Sequence, residues 1–421
     1  MVHRDTHNIL ILKKALLGGF FSLVALTSGC GDDGGEGGGF GGTGGTLGGL
    51  GTTSILYVAN SGSDNVSGYS INATSGILAA IPGSPFSNVS GPSAMAVSSN
   101  GFFAYVTNGR TSTVAAFRVS TEGALLSVPT TPSNPNPAPV EAAPGALAIA
   151  PNTKHVYVGN SGTDKVTAFN IEASGALTLI PQTAGTTNPV SVNGADPAAI
   201  AITPSGKFLY VANSGSNDVT AFSIGATGLL SLIAPSGANA NPIKTSVTAP
   251  KSMAISPNGS FLYVANSSTH NVTVFQIGTN GLLTLVPPAG GTTNPIPTGT
   301  GGTTPNSLMI SLDGRFLYSA NGGGTISAFT IGSDGFLTLV PSAAGNLNPV
   351  SAGANASPVA LTMSPDGRFL YVATNVTTLG GRVSAFTINP ETGALAPLTA
   401  LLGNPFLAGS TPSAIATPGR P

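Results

Sequence analysis

Residues 102–109 read FFAYVTNG, and close variants return as FLYVANSG at 208–215 and FLYVANSS at 261–268. The tyrosine inside this phrase recurs at Tyr57, Tyr105, Tyr157, Tyr210, Tyr263, Tyr318 and Tyr371, at intervals of 48, 52, 53, 53, 55 and 53 residues. Such a period marks a chain written as copies of one supersecondary unit, none of which can bury its apolar face alone. Each unit holds four apolar runs of strand length separated by turn residues. In the sixth, PNSLMIS (305–311) passes through LDG to RFLYSAN (315–321), GGG turns into TISAFTI (325–331), and GSDG turns into FLTLVP (336–341).

The turns make these runs antiparallel neighbours. Asn100-Gly101, Asn258-Gly259, Asp313-Gly314 and Asp366-Gly367 join first to second strands and predict tight hairpins with positive φ, while the third unit carries Asn152-Thr153 without the glycine. No stretch beyond the N-terminal region has capped helical periodicity. The reading is all-β: a seven-bladed β-propeller, with a β-helix as the rival that the four-strand hairpin order disfavours. The folded region opens at ILYVAN (55–60), a second strand without its first, and finishes at PSAIAT (412–417), a first strand without its second. Pairing the two would close the ring and remove exposed sheet edges. The tyrosine and valine of each phrase are expected between blades, and the asparagine at a strand end.

Composition agrees. Only 7% of the 421 residues are charged and the formal net charge is −1, yet 41% are hydrophobic and Gly (58) with Pro (33) exceed a fifth of the chain. Disordered chains combine low hydrophobicity with high charge, the opposite profile. Without a basic patch to neutralise phosphates, nucleic acid is not expected as a partner.

The first residues read as an address. Lys13 and Lys14 precede the apolar run ALLGGFFSLVALTSG and then Cys30, the chain's only cysteine; this is the layout of a secretory signal. Leu26-Thr27-Ser28-Gly29-Cys30 resembles a bacterial lipobox, with Thr27 where Leu or Val is usual. That resemblance implies a signal over 1–29, lipid attachment at Cys30, and a membrane partner through the anchor. Residues 30–53 are a Gly-rich tether that would reach roughly 25 Å as a random coil, and 54–421 the propeller. Gly31 rather than Asp after the cysteine implies, by likeness to Gram-negative sorting rules, an exported protein of the outer membrane or periplasm.

YVTN at 105–108, SPDGRFLYVA at 364–373 and GSPF at 83–86 resemble the YVTN-repeat, lactonase-type seven-bladed propellers, which include 6-phosphogluconolactonase-like proteins. The resemblance covers all seven units and implies lactone hydrolysis, but blade motifs are scaffold and do not by themselves fix activity.

The residues offer little chemistry. Innermost strands read SAMAVS, GALAIA, AAIAIT, SMAIS, SLMIS, VALTMS and SAIAT, without one ionisable side chain. A general acid or base must sit within hydrogen-bond reach of the proton it moves, so any such group is expected from loops at the channel mouth. The candidates are Arg110, Glu141, Lys251 and His270, with Asp164, Lys165, Asp196, Asp218, Lys244 and Arg382 beside them. Asp64, Asp164 and Asp218 read as members of one recurring turn, and His155, in a Phe position, reads as packing. No His, Cys or carboxylate spacing predicts a metal site, although Asp32, Asp33 and Glu36 could attract cations weakly; no cofactor is expected. Asn-Pro steps at Asn188, Asn241, Asn294, Asn348 and Asn404 read as structural turns. Two functions follow: a non-catalytic envelope lipoprotein presenting a rigid ring to a protein, polysaccharide or small polar ligand, and, as the alternative, a lactone hydrolase with Arg110, Lys251 and Glu141 at the mouth.

Overall fold

The computed structural model describes residues 54–418, apart from 133, 183–186, 238, 245–247, 289–292, 343–346, 377–379 and 399–402. The signal, Cys30 and the tether lie outside the described residues, within which every regular element is a strand.

The strands form seven antiparallel sheets. Blade 2 runs outward through Pro92–Val97, Phe103–Asn108, Thr113–Val119 and Leu125–Ser127. In blades 3 to 7 the innermost strands are Pro144–Ile149, Pro197–Ile202, Pro250–Ile255, Pro305–Ile310 and Ala356–Met363. Blade 1 is composite. Pro412–Ala416 pairs antiparallel with Ser54–Asn60, setting Val58 opposite Ile415 and Tyr57 opposite Ala416. Neighbouring innermost strands pack side by side, and Pro412–Ala416 packs against both Pro92–Val97 and Ala356–Met363. The ring is therefore closed by its C-terminal strand.

The repeated tyrosine explains the blade spacing. Tyr57, Tyr105, Tyr157, Tyr210, Tyr263, Tyr318 and Tyr371 are all fully buried. Each hydroxyl donates to a glycine carbonyl in the third-to-fourth-strand turn of the next blade: Gly123, Gly175, Gly228, Gly281, Gly335, Gly393 and, for Tyr371, Gly76 of blade 1. The last bond, 2.8 Å long, joins residues 295 apart and seals the ring. Burial raises these phenols well above their ordinary pKa, so they stay donors. The residue two before each tyrosine, Ile55 in blade 1 and an aromatic ring in the other six, packs beneath the same glycine. A Cβ on Gly175, whose φ is +88°, would meet the Phe103 ring at 2.4 Å, so glycine is needed there for space and conformation alike. In blade 3 the packing residue is His155, buried beside Gly228. The apolar clusters accordingly lie between blades: one joins Ile55 and Tyr57 to Val97, Val106 and Phe117, and the closing seam joins Leu56 and Val58 to Phe369 and Tyr371.

Two local expectations change. The first-to-second-strand turns are not two-residue hairpins: Gly101 donates its N–H to Ser98 O, and Gly101 rather than Asn100 takes positive φ (+75°). Asn100 instead accepts the Phe102 N–H through its side chain. Blade 3 makes the same turn with Thr153 at φ +56°.

The second change is a fifth, two-residue strand, such as Val190–Ser191 against Lys165–Val166, in six blades. Each follows a Pro preceded by Asn. Asn188 Oδ1 accepts the Ala168 N–H (2.9 Å), while its Nδ2 donates to Ala168 O (2.8 Å) and Ile180 O (2.9 Å). The side-chain amide thus completes a strand ladder as a peptide group would. Asn241, Asn294, Asn348 and Asn404 repeat this, as does Asn136, which the sequence reading passed over.

Candidate functional site

The loops after the second strands and those leading into the innermost strands meet at one end of the ring, through bonds such as Gly109 N–H to Gly91 O and Ser161 N–H to Ala143 O. Most charged groups here bind the framework to itself. Asp64 accepts the Gly91 N–H of the neighbouring loop and pairs with Arg110, whose Nη2 donates to Ser61 O. Those partners hold the Asp64 carboxyl below its ordinary range. Asp164 accepts the Asp196 N–H (2.7 Å), Asn217 the Ala249 N–H (2.7 Å), and His270 Nδ1 the Thr304 N–H (2.9 Å). These four residues, all at positive φ, latch one blade to the loop entering the next. Asn217, not Asp218, is the member in blade 4. Asp218 begins a strand, accepts from Asn213 Nδ2 (2.8 Å), and pairs with Lys244 at 3.0 Å. Glu141 pairs with Lys165 at 3.5 Å.

Arg110, Glu141 and His270 are thus engaged at three different seams, and no hydrogen bond or ion pair among described residues links any two of Arg110, Glu141, Lys251 and His270. The strand-end asparagines are buried latches as well: Asn213 also donates to Thr220 Oγ1 (2.9 Å), and Asn60 to Ser67 Oγ (3.0 Å).

Lys251 differs, and its position corrects the reading of it as a loop residue. It lies in the innermost strand Pro250–Ile255, where Pro250 pairs with Asn266 and Ser252 with Ala265, so Lys251 is the bulged residue between them. Proline at a first strand position needs no ladder donor, which is why it reads as a loop boundary. A bulge aims one side chain out of the ladder. The same place is held by Ser93, Gly145, Ala198, Asn306, Val359 and Ser413 in the other blades. Ser93 donates to Pro144 O, Asn306 to Pro358 O (2.9 Å) and Ser413 to Pro92 O (2.6 Å), each tying down the next blade. Lys251 is exposed, and among the described residues it has neither a hydrogen-bond partner nor an ion pair. Over Pro197, in the neighbouring blade, Asp196 is also exposed, its Oδ2 accepting from Ser214 Oγ at 2.5 Å. Arg382 at blade 7 donates to Gly381 O (3.0 Å).

Among the described residues no three His, Cys, Asp or Glu side chains gather as a metal would require. At the opposite end of the ring a cleft of 490 Å³ lies over Phe316 and Phe369, flanked by Asp313 and Asp366. Its arginines are straps: Arg315 donates to Pro390 O and Glu391 O, and Arg368 to Ala73 O.

Comparison with known proteins places this geometry in a family. The family model described as Lactonase, 7-bladed beta-propeller matches residues 50–190 and 181–296. A 6-phosphogluconolactonase of Formosa agariphila is 34% identical over 128 residues, covering 30% of this chain and 33% of that protein. One from Serratia proteamaculans is 25% identical over 273 residues, 64% of this chain and 73% of its own. Among solved structures, the periplasmic gluconolactonase of Pseudomonas aeruginosa superposes with a TM-score of 0.65 at 19% identity, over 88% of this chain and 100% of that one; at that identity it shares the fold. With a family match over more than half its length, the chain belongs to the lactonase family of seven-bladed β-propellers.

Proposed function

We propose that this chain is a lactone hydrolase working at the channel mouth, with Lys251 as its electrophilic group and Asp196 as its base. Membership of the lactonase family and relatives named 6-phosphogluconolactonase support the reaction class. The observation that carries it to particular residues is the exposed Lys251 ammonium, which has no counter-charge among the described residues. Hydrolysis adds water to the lactone carbonyl carbon, whose oxygen becomes an oxyanion. Lys251 stabilises that developing charge, and such groups are typically worth about 10²–10³ in rate. Asp196, one blade away, takes the proton of the attacking water. It returns the proton to the ring oxygen as the C–O bond breaks, leaving a hydroxyl and a carboxylic acid, which then releases its own proton to solvent. The purified chain should show saturable turnover of a sugar-acid lactone, with kcat/KM falling about a hundredfold in Lys251→Gln and in Asp196→Asn. Wild-type activity at the background rate, or variants as active as wild type, would refute the assignment.

A second reading has one observation in its favour: Arg110, Glu141, Lys165, Asp218, Lys244 and His270 are consumed by the scaffold. A non-catalytic ring that binds a polar partner would look the same at those seams. We further propose that the protein is exported and anchored through Cys30, as the lipobox-like segment supports. Radiolabelled palmitate should enter the wild-type chain and not Cys30→Ser; equal labelling of both would exclude it.

A further inference from the structure

Around the mouth the seven bulge positions are not equivalent. On blades 1, 2 and 6 the side chain there is bonded to the next blade, through Ser413, Ser93 and Asn306. On the three consecutive blades 3, 4 and 5 it is Gly145, Ala198 and Lys251, with no such tie among the described residues, as is also true of Val359 on blade 7. At Gly145, which is exposed, an added Cβ would meet nothing within 4 Å, so that stretch of rim is open space. Along this arc an unpaired ammonium follows two residues of minimal bulk on neighbouring innermost strands.

Its other cations are already paired. The rim above these blades carries Glu141, Asp164, Asp196 and Asp218 with Lys165 and Lys244; Lys165 pairs with Glu141, Lys244 with Asp218, and Asp164 accepts a backbone N–H. Neither mouth arginine belongs to this arc: Arg110 is paired with Asp64 at the seam of blades 1 and 2, and Arg382 lies on blade 7. Phosphate carries between −1.5 and −2 charges at neutral pH and is held best by guanidinium forks. Carboxylates near such a group repel it.

We infer that the arc formed by Gly145, Ala198 and Lys251 is the seat of the substrate, and that the substrate is an unphosphorylated lactone. The inference rests on the hydrolase reading above. A small uncharged ring fits over Gly145 and Ala198 with its carbonyl toward Lys251, and one cation suffices for the single negative charge that develops there. A phosphate on the same ring would bring a near-dianion toward Asp196 with no second unpaired cation to meet it.

The test compares kcat/KM of the purified full chain for glucono-1,5-lactone and for its 6-phosphate, in wild type and in Gly145→Phe. The expected result is a preference of at least about tenfold for the unphosphorylated lactone. Gly145→Phe should lose at least about tenfold in kcat/KM with an unchanged Tm, because the new ring occupies the seat and touches no core. Faster turnover of the phosphorylated lactone, or a Gly145→Phe enzyme within about twofold of wild type, would overturn the inference while leaving the hydrolase reading standing. If neither lactone is turned over, it is the hydrolase reading that fails. Calorimetric binding of gluconate then decides the seat: binding lost in Gly145→Phe supports it, and binding absent or unaltered overturns it. Gly145→Val replaces Gly145→Phe should the larger side chain prevent folding.

Discussion

Tyr371→Phe probes the closing seam with the loss of one oxygen atom. The Tyr371 hydroxyl is fully buried and donates to Gly76 O at 2.8 Å, across the junction between the last blade and the first. Removing it keeps the ring's packing and leaves the Gly76 carbonyl without this donor. Such a deletion costs about 1–2 kcal/mol, since a buried group loses its partner without regaining water. With an m value of about 3 kcal/mol/M, the urea midpoint should fall by about 0.5 M and m itself should not change. Tyr210→Phe calibrates the measurement, because its 2.8 Å bond to Gly281 joins blades 4 and 5, adjacent in the chain. If the ring is closed in solution, both variants lose the same amount, and the distant sites add in the double variant. A neutral Tyr371→Phe beside a destabilised Tyr210→Phe would mean that the seam is open; two neutral variants would refute the role given to the hydroxyls.

Asn241→Ala removes three bonds of 2.7–2.8 Å to Ala221 and Ile233 and should destabilise by about 2–3 kcal/mol in urea melts; Asn241→Asp should also destabilise, because a carboxylate cannot donate to the two carbonyls. His155 has its pKa lowered chiefly by burial, with Lys154 adding and Asn170 opposing, and its Nδ1 has no partner among described residues. At neutral pH it is uncharged in both states; below its unfolded pKa of about 6.5 only the unfolded chain gains the proton, so stability falls with acid until the folded pKa is reached. His155→Phe, restoring the residue of the sibling blades, should flatten that slope in thermal melts between pH 7 and 5; an unchanged slope would disprove the burial. Arg110→Ala and Glu141→Ala should leave turnover within about twofold of wild type, since both are seam residues; a loss of about a hundredfold in either would return it to the site.

The architecture was legible because its determinants are local and repeated. Tyr recurs in every unit, with Val and the turn glycines in nearly all of them, and ILYVAN and PSAIAT show half a blade at each end. The latches were not legible in the same way. That Tyr371 reaches Gly76 requires the ring to exist first, and that Asn188 acts as a surrogate peptide depends on a strand 20 residues earlier in sequence. Asn136 carries the same bonds but was missed amid the surrounding Asn-Pro repeats. The site was least readable. Arg110 and Glu141 stand out as rare charges in a neutral chain, yet their ion-pair partners lie on other elements, and His270 is taken up by a backbone N–H of the loop entering the next blade. Lys251 follows a proline that looks like the end of a loop, and only the bulged register shows it to be a residue of the innermost strand. Gly145 gave no signal, because open space has no sequence signature.

The most direct measurement is a crystal structure of the protein soaked with gluconate, the product of the proposed reaction. Density is expected over Gly145 and Ala198, with the carboxylate against Lys251 Nζ. Gluconate found instead in the cleft over Phe316 and Phe369, with the mouth vacant, would contradict the account.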